Sequence, residues 1–157
     1  MSTAIVSGSF DPITVGHLDV ITRASRLFDR VVVAVSANTA KSNLLDDETR
    51  LNAVRASVES LDNVEAELCE GLLAEFCLRY DDPVLVRGVR TGSDFDYERS
   101  LYVINKSLDV PETVILPCAS GLAHISSTYA REMIKYGRSL EGIVPEQAIK
   151  VIKKGLK

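Results

Sequence analysis

The sequence predicts an α/β domain built on a parallel sheet with helices on both faces, and three observations carry this. Short runs rich in β-branched residues alternate with longer segments whose apolar residues recur at helical spacing, the order in which crossover helices join parallel strands. The chain has 157 residues, the size of one domain with one core, and no repeat, linker or compositional break divides it. Glycines, cations, hydroxyls and both histidines recur just after the strands, at the edge where open parallel sheets bind ligands.

Five strands are predicted, over residues 4–7, 31–36, 64–68, 84–87 and 113–116, each short and β-branched. The first crossover places Leu18, Ile21, Ala24 and Phe28 on one helical face, and the second does the same with Leu51, Val54, Val58 and Leu61. Shorter helices fit residues 72–80 and 94–108, and another follows Ser126. Pro145 suits the first turn of a last helix, where its missing N–H costs little. The Lys150, Lys153, Lys154 and Lys157 tail reads as a solvated cationic helix end.

Composition excludes several classes. Eighteen Lys and Arg against 22 Asp and Glu give a net charge of −4 and a pI near 5.2, which argues against binding nucleic acid through a basic face. A small anionic ligand held by a few local cations remains compatible. The tightest apolar run, residues 31–35, is far below the roughly 20 residues of a membrane span, and the N-terminus lacks the pattern of a secretory signal. Three cysteines without a C-x-x-C pair read as buried free thiols, and the expected location is cytoplasmic. Two histidines without a ligand-spaced cluster argue against structural zinc.

The strand ends carry the unusual residues. Gly8-Ser9-Phe10-Asp11-Pro12 and then Thr14-Val15-Gly16-His17 follow the first strand; Asn38-Thr39-Ala40-Lys41 follow the second. Cys69-Glu70-Gly71-Leu72-Leu73 follow the third, and Arg87-Gly88-Val89-Arg90 the fourth. Gly121-Leu122-Ala123-His124-Ile125-Ser126-Ser127-Thr128 lie beyond the fifth. Each piece alone has a plain alternative. His17 stands in the first turn of a helix, where it serves either as a cap or as a catalytic group facing an anion. Arg87 and Arg90 pair with Asp94 or Glu98, or bind ligand. Ser126, Ser127 and Thr128 cap a helix, or meet phosphate. Asp94 and Asp96 follow Thr91 and Ser93 at capping-box spacing. Together, the five loops point to a site for an anionic ligand.

The set G-S-F-D-P with T-x-G-H, then R-G-V-R-x-x-x-D-F-D-Y-E, then I-S-S-T, resembles the bacterial phosphopantetheine adenylyltransferases of the nucleotidylyltransferase superfamily. T-x-G-H with I-S-S-T-x-x-R is common to the superfamily; the segment from Arg87 to Glu98 is the narrower signal. The resemblance implies a Rossmann-like sheet in the order 3-2-1-4-5. It also implies transfer of AMP from ATP to 4′-phosphopantetheine in coenzyme A biosynthesis, giving dephospho-coenzyme A and pyrophosphate.

By that resemblance His17 stabilises the transition state, with Lys41 and Arg90 completing the catalytic set. Ser9, Lys41, Leu73 and Arg87 bind the acceptor. Ser9, Phe10, His17, Gly88, Val89, Arg90, Glu98, Leu122, Ala123, His124, Ile125, Ser126, Ser127 and Thr128 contact ATP. Mg2+ is carried by the ATP phosphates rather than by a protein cage, the assembly is a homohexamer, and coenzyme A is a candidate feedback ligand. Ser9 stands where many relatives have threonine, Leu122-Ala123-His124 replaces an often aromatic stretch, and Arg131 replaces a usual lysine. Two competing readings are a related transferase acting on nicotinamide mononucleotide or a phospho-alcohol, and a non-catalytic nucleotide- or flavin-binding module. Nine aromatic residues without tryptophan speak against flavin.

Overall fold

A computed structural model describes residues 1–37, 42–110 and 112–156. Its elements alternate as the sequence predicts: β1 (Thr3–Gly8), α1 (Val15–Leu27), β2 (Arg30–Ser36), α2 (Asp47–Val58), β3 (Val64–Cys69), α3 (Leu73–Cys77), β4 (Pro83–Val89), α4 (Gly92–Ser107), β5 (Thr113–Pro117), α5 (Ser127–Lys135) and α6 (Glu146–Gly155). The strands form one parallel sheet in the order β3-β2-β1-β4-β5. Strand order reverses between β1 and β4, so a crevice opens beyond the carboxyl ends of those two strands.

Strand periodicity sorts the core into two layers. Ala4, Val6, Val31, Val33, Val35 and Val86 face one side, where Ile21 and Ala24 of α1, Val54 and Val58 of α2, and Ala148 and Ile152 of α6 cover them. Ile5, Val32, Ala34 and Leu85 face the other side, against Ala74, Phe76 and Cys77 of α3. The second layer is thin. α3 has only five residues, and α4 buries Glu98 alone while Phe95, Val103, Ile104 and Leu108 stay exposed.

Boundaries differ from the sequence expectation in physically readable ways. The helix expected over residues 72–80 stops at Cys77, where tighter turns take over through Arg79 N–H to Phe76 O and Tyr80 N–H to Cys77 O. α4 starts at Gly92 because Thr91 caps it, its hydroxyl accepting from Asp94 N–H at 3.1 Å. The Asp94 carboxylate accepts chiefly from Arg90 N–H, with a weaker contact to the N–H of the capping residue Thr91. Pro145 lies just outside α6 as its N-cap. Cys69 and Cys77 are buried thiols as expected, and burial pushes the Cys77 thiol up to about 11. Cys118 is only half-buried. No helix among the described residues is long and apolar enough to cross a membrane.

Candidate active site

The crevice at the β1–β4 switch is a cleft of about 470 Å³, in the size range of small-molecule sites. A larger hollow of about 650 Å³ runs along α2 and edge strand β3, lined by Arg55, Glu59, Glu65 and Glu67. It gathers no strand-end loop and none of the unusual residues, so the cleft is the candidate site.

The loop after β1 supplies the floor. Gly8 leaves room for the Phe10 ring, since a Cβ there would lie 3.3 Å from it. Phe10 adopts φ 48, a left-handed conformation that a bulky residue takes only when its surroundings hold it. Its ring is buried and meets His17 edge-on, with centroids 5.1 Å apart. The Asp11–Pro12 peptide is cis, and the buried Asp11 carboxylate accepts from Leu44 N–H and Leu45 N–H at 2.8 and 2.9 Å. That clasp ties the loop to the segment leading into α2.

Thr14 and His17 form a reciprocal cap at the start of α1. Thr14 Oγ1 accepts from His17 N–H at 3.3 Å, and Thr14 N–H donates to His17 Nδ1 at 3.0 Å. An Nδ1 that accepts a hydrogen bond carries no proton, so Nε2 carries it in the neutral ring. Burial lowers the His17 pKa to about 4, and the nearby Arg90 and Arg87 charges add to the effect. The cap thus does two jobs: it satisfies helix N–H groups and presents an uncharged N–H donor to the cleft.

β4 brings the cations. Arg87 Nε and Nη2 donate to the two oxygens of Glu98 at 2.9 and 2.8 Å, a side-on pair, while Nη1 donates to Ser7 O and Ser7 Oγ. Arg90 Nη1 donates to Ile125 O at 3.2 Å and Nε lies 3.5 Å from Asp94 Oδ2. The Arg90 N–H and guanidinium hold the Asp94 carboxyl below its ordinary pKa. Between the arginines, Gly88 lets α1 approach β4: a Cβ there would meet Val20 Cγ2 at 2.7 Å.

α5 closes the far side with its N-terminus. Ser126 caps it, accepting from Tyr129 N–H at 3.1 Å. Ser127 Oγ donates to Pro12 O at 2.9 Å, and Arg131 Nη1 donates to Asp11 O at 2.9 Å while Nη2 donates to Thr128 Oγ1. The two strand-end loops therefore meet across the cleft, with a helix N-terminus turned toward any anion between them.

Ser9, Phe10, His17, Arg87, Gly88, Val89, Arg90, Glu98, Leu122, Ile125, Ser126, Ser127 and Thr128 all line this cleft. Leu73, Ala123 and His124 do not. Leu73 opens α3 beside edge strand β3, and Ala123 and His124 are exposed at the tip of a turn closed by Ile125 N–H to Leu122 O. Lys41 lies outside the described residues. Ser7, Tyr97 and Cys118 line the cleft without having been singled out. Arg50 was also missed, although it shares the i, i+4 line of Val54 and Val58 on the buried face of α2.

Among the described residues no group of three or more His, Cys, Asp or Glu side chains could hold a metal ion. Asp94 and Glu98, the two carboxylates lining the cleft, are each engaged by an arginine. The donor set fits a cation that arrives on a ligand's phosphates rather than one held in a protein cage.

Residues 5–133 match the cytidylyltransferase-like family. A phosphopantetheine adenylyltransferase of Clostridium novyi is 42% identical to this chain, over 97% of it and 95% of the relative. One from Streptomyces coelicolor is 38% identical over 100% of this chain and 99% of its own. A crystal structure from Vibrio parahaemolyticus, provisionally assigned as a nicotinate-nucleotide adenylyltransferase, matches with a TM-score of 0.74 at 22% identity, covering 99% of this chain and 94% of its own, which speaks to the fold alone. With near-full-length relatives at this identity, and the T-x-G-H cap and the Arg87–Glu98 pair standing in one cleft, the chain belongs to the phosphopantetheine adenylyltransferase family of cytidylyltransferase-like proteins.

Proposed function

We propose that the protein transfers an adenylyl group from ATP to 4′-phosphopantetheine, giving dephospho-coenzyme A and pyrophosphate. The observation that carries this is the neutral His17 ring, held by Thr14 and flanked by Arg87 and Arg90, in a cleft at the sheet's switch point. The names of its near-full-length relatives supply the substrates.

In the reaction, an oxygen of the acceptor phosphate attacks the α-phosphorus of ATP in line. The new P–O bond forms as the bond to the β-phosphate breaks, and pyrophosphate leaves with that electron pair. The nucleophile is already an anion, so no general base is needed. What the protein supplies is position and stabilisation of charge on the phosphoryl oxygens. His17 Nε2–H donates to an α-phosphate oxygen as charge builds there. Arg90 and Lys41 add positive charge, and the N-terminus of α5 with Ser126, Ser127 and Thr128 receives the β- and γ-phosphates.

Ser9, Lys41 and Arg87 bind the acceptor, with the Leu73 backbone nearby. Glu98, which the resemblance assigns to ATP, holds the Arg87 guanidinium, and through it acts on the acceptor side. Phe10 is too buried to offer its ring to ATP, so its contact is through the main chain. Mg2+ suits the phosphates and neutralises their charge when bound. The exposed apolar residues of α4 suit a contact between copies, and the expected homohexamer is read by mass in solution. Coenzyme A, which shares the product's pantetheine arm, is the expected feedback ligand.

An acceptor panel tests the reading: 4′-phosphopantetheine, nicotinamide mononucleotide and a phospho-alcohol, each with ATP or CTP. Dephospho-coenzyme A from ATP and 4′-phosphopantetheine alone is the expected result. Turnover only with another acceptor would replace the substrate assignment.

A further inference from the structure

Among the described residues the largest fully buried side chain is a cation, Arg50 on α2. Its Nη1 donates to two carbonyls, Ser9 O and Ser36 O, the latter at 2.8 Å. Its Nη2 donates to Asp47 Oδ1 at 2.6 Å. Its Nε is buried with no hydrogen-bond partner among the described residues. As a stabilising device this is a poor choice, because a guanidinium taken wholly out of water with one N–H unmet gives back much of what its contacts gain.

The geometry explains the position better. The last register pair of the β1–β2 ladder is Gly8 with Val35. Ser9 and Ser36 are the next residues of the two strands, and would form the next pair had the chains not parted into separate loops. One nitrogen of Arg50 bridges both carbonyls and so extends the ladder where the backbone cannot. Ala37, just beyond, is held by its N–H to Cys69 O at 2.9 Å. Asp11 clasps Leu44 and Leu45 on the return side of the same connection. The start of the loop carrying Ser9 and the end of β2 at Ser36 thus share a common clamp.

We propose that Arg50 is a positioning residue for the acceptor side of the site, acting through the Ser9 and Ser36 main chain and never touching substrate. The proposal rests on the adenylyl-transfer reading for its kinetic consequence but not for its structural one. The triphosphate is received mainly by Arg90 and α5, which Arg50 does not contact; Ser9 and Phe10 on the clamped loop also meet ATP, so losing Arg50 weighs more on the acceptor than on ATP.

The test uses Arg50→Met, which keeps the bulk and removes the donors, and Arg50→Lys, which keeps the charge but cannot reproduce the guanidinium fork. Kinetics are measured well below the melting temperature of each variant. In Arg50→Met the KM for 4′-phosphopantetheine is expected to rise about tenfold or more with the KM for ATP within about threefold, the scale of losing one hydrogen bond to a charged group. Arg50→Lys is expected to show the same selectivity to a smaller degree, and it decides the matter if Arg50→Met does not fold. A lower melting temperature with both KM values unchanged, or an equal rise in both, overturns the proposal. If the wild-type protein makes no dephospho-coenzyme A, the transfer reading fails by itself. Amide exchange without ligand then decides: faster exchange over residues 8–10 and at Ala37 in the variant supports the clamp, and unchanged exchange there overturns it.

Discussion

Thr14 N–H donates to Nδ1 of His17 at 3.0 Å, and this one bond sets what the histidine can do. Protonating Nδ1 would set two N–H groups against each other, so the cap and burial favour the neutral ring together. Titration of His17 followed by NMR is expected to show an Nε2-protonated neutral ring at pH 7 and a pKa near 4. The unfolded chain takes up that proton near 6.5, so stability falls as pH drops from about 6.5 to about 4 and is fully present above 6.5. A ring that titrates near 6.5 in the folded protein would contradict this.

Replacing His17 removes the donor from the cleft. For His17→Ala, kcat is expected to fall about 10²- to 10³-fold, the usual effect of losing one preorganised donor to a developing charge. The KM for ATP is expected to change little, because the proposed triphosphate contacts lie on β4 and α5. Wild-type turnover in the variant would remove His17 from the mechanism.

The Arg87–Glu98 pair is half-buried on one side and nearly fully buried on the other. Glu98→Gln keeps the shape and one acceptor but loses the charge. Acceptor affinity is expected to weaken by about 1.5–3 kcal/mol as Arg87 loses its charged partner. Isothermal titration with 4′-phosphopantetheine checks this, and unchanged affinity would mean that Arg87 is held by Ser7 alone.

At Gly88, β4 leaves no room for a side chain against Val20 of α1. Gly88→Ala drives a methyl into Val20 and is expected to cost about 1–3 kcal/mol by overpacking. Val20→Ala in the same chain should restore most of it. Denaturant melts of the two single variants and the double variant measure the coupling, and additive losses would show that the contact does not set the spacing.

Arg131 holds the Asp11 carbonyl from α5 and so joins the two walls of the cleft. Arg131→Met is expected to raise the KM for ATP about tenfold, the scale of one charge-assisted hydrogen bond, while leaving the acceptor KM near wild type. Steady-state kinetics in each substrate separate the two.

The sheet was legible because its strands are short, β-branched and evenly interleaved with helical spacing, and its order followed from the family resemblance. The loops were legible because glycine, histidine and arginine at strand ends need a local reason. α3 was overestimated because its apolar residues continue past Cys77 into turns that keep the same spacing. Ala123 and His124, assigned to ATP by the resemblance, stand at the tip of a single turn outside the cleft lining, a placement that no spacing in the sequence shows. Arg50 was passed over because an arginine within D-E-T-R reads as surface charge. Its place on the line of Val54 and Val58 was the available signal. Its carbonyl partners, Ser9 and Ser36, lie far off in sequence, and no local pattern shows them.

The most direct test of the account is pyrophosphate release from ATP and Mg2+, with and without 4′-phosphopantetheine. The account predicts release only when the acceptor is present, with dephospho-coenzyme A formed in equal amount. Release without acceptor, or none from protein that binds ATP, would contradict it.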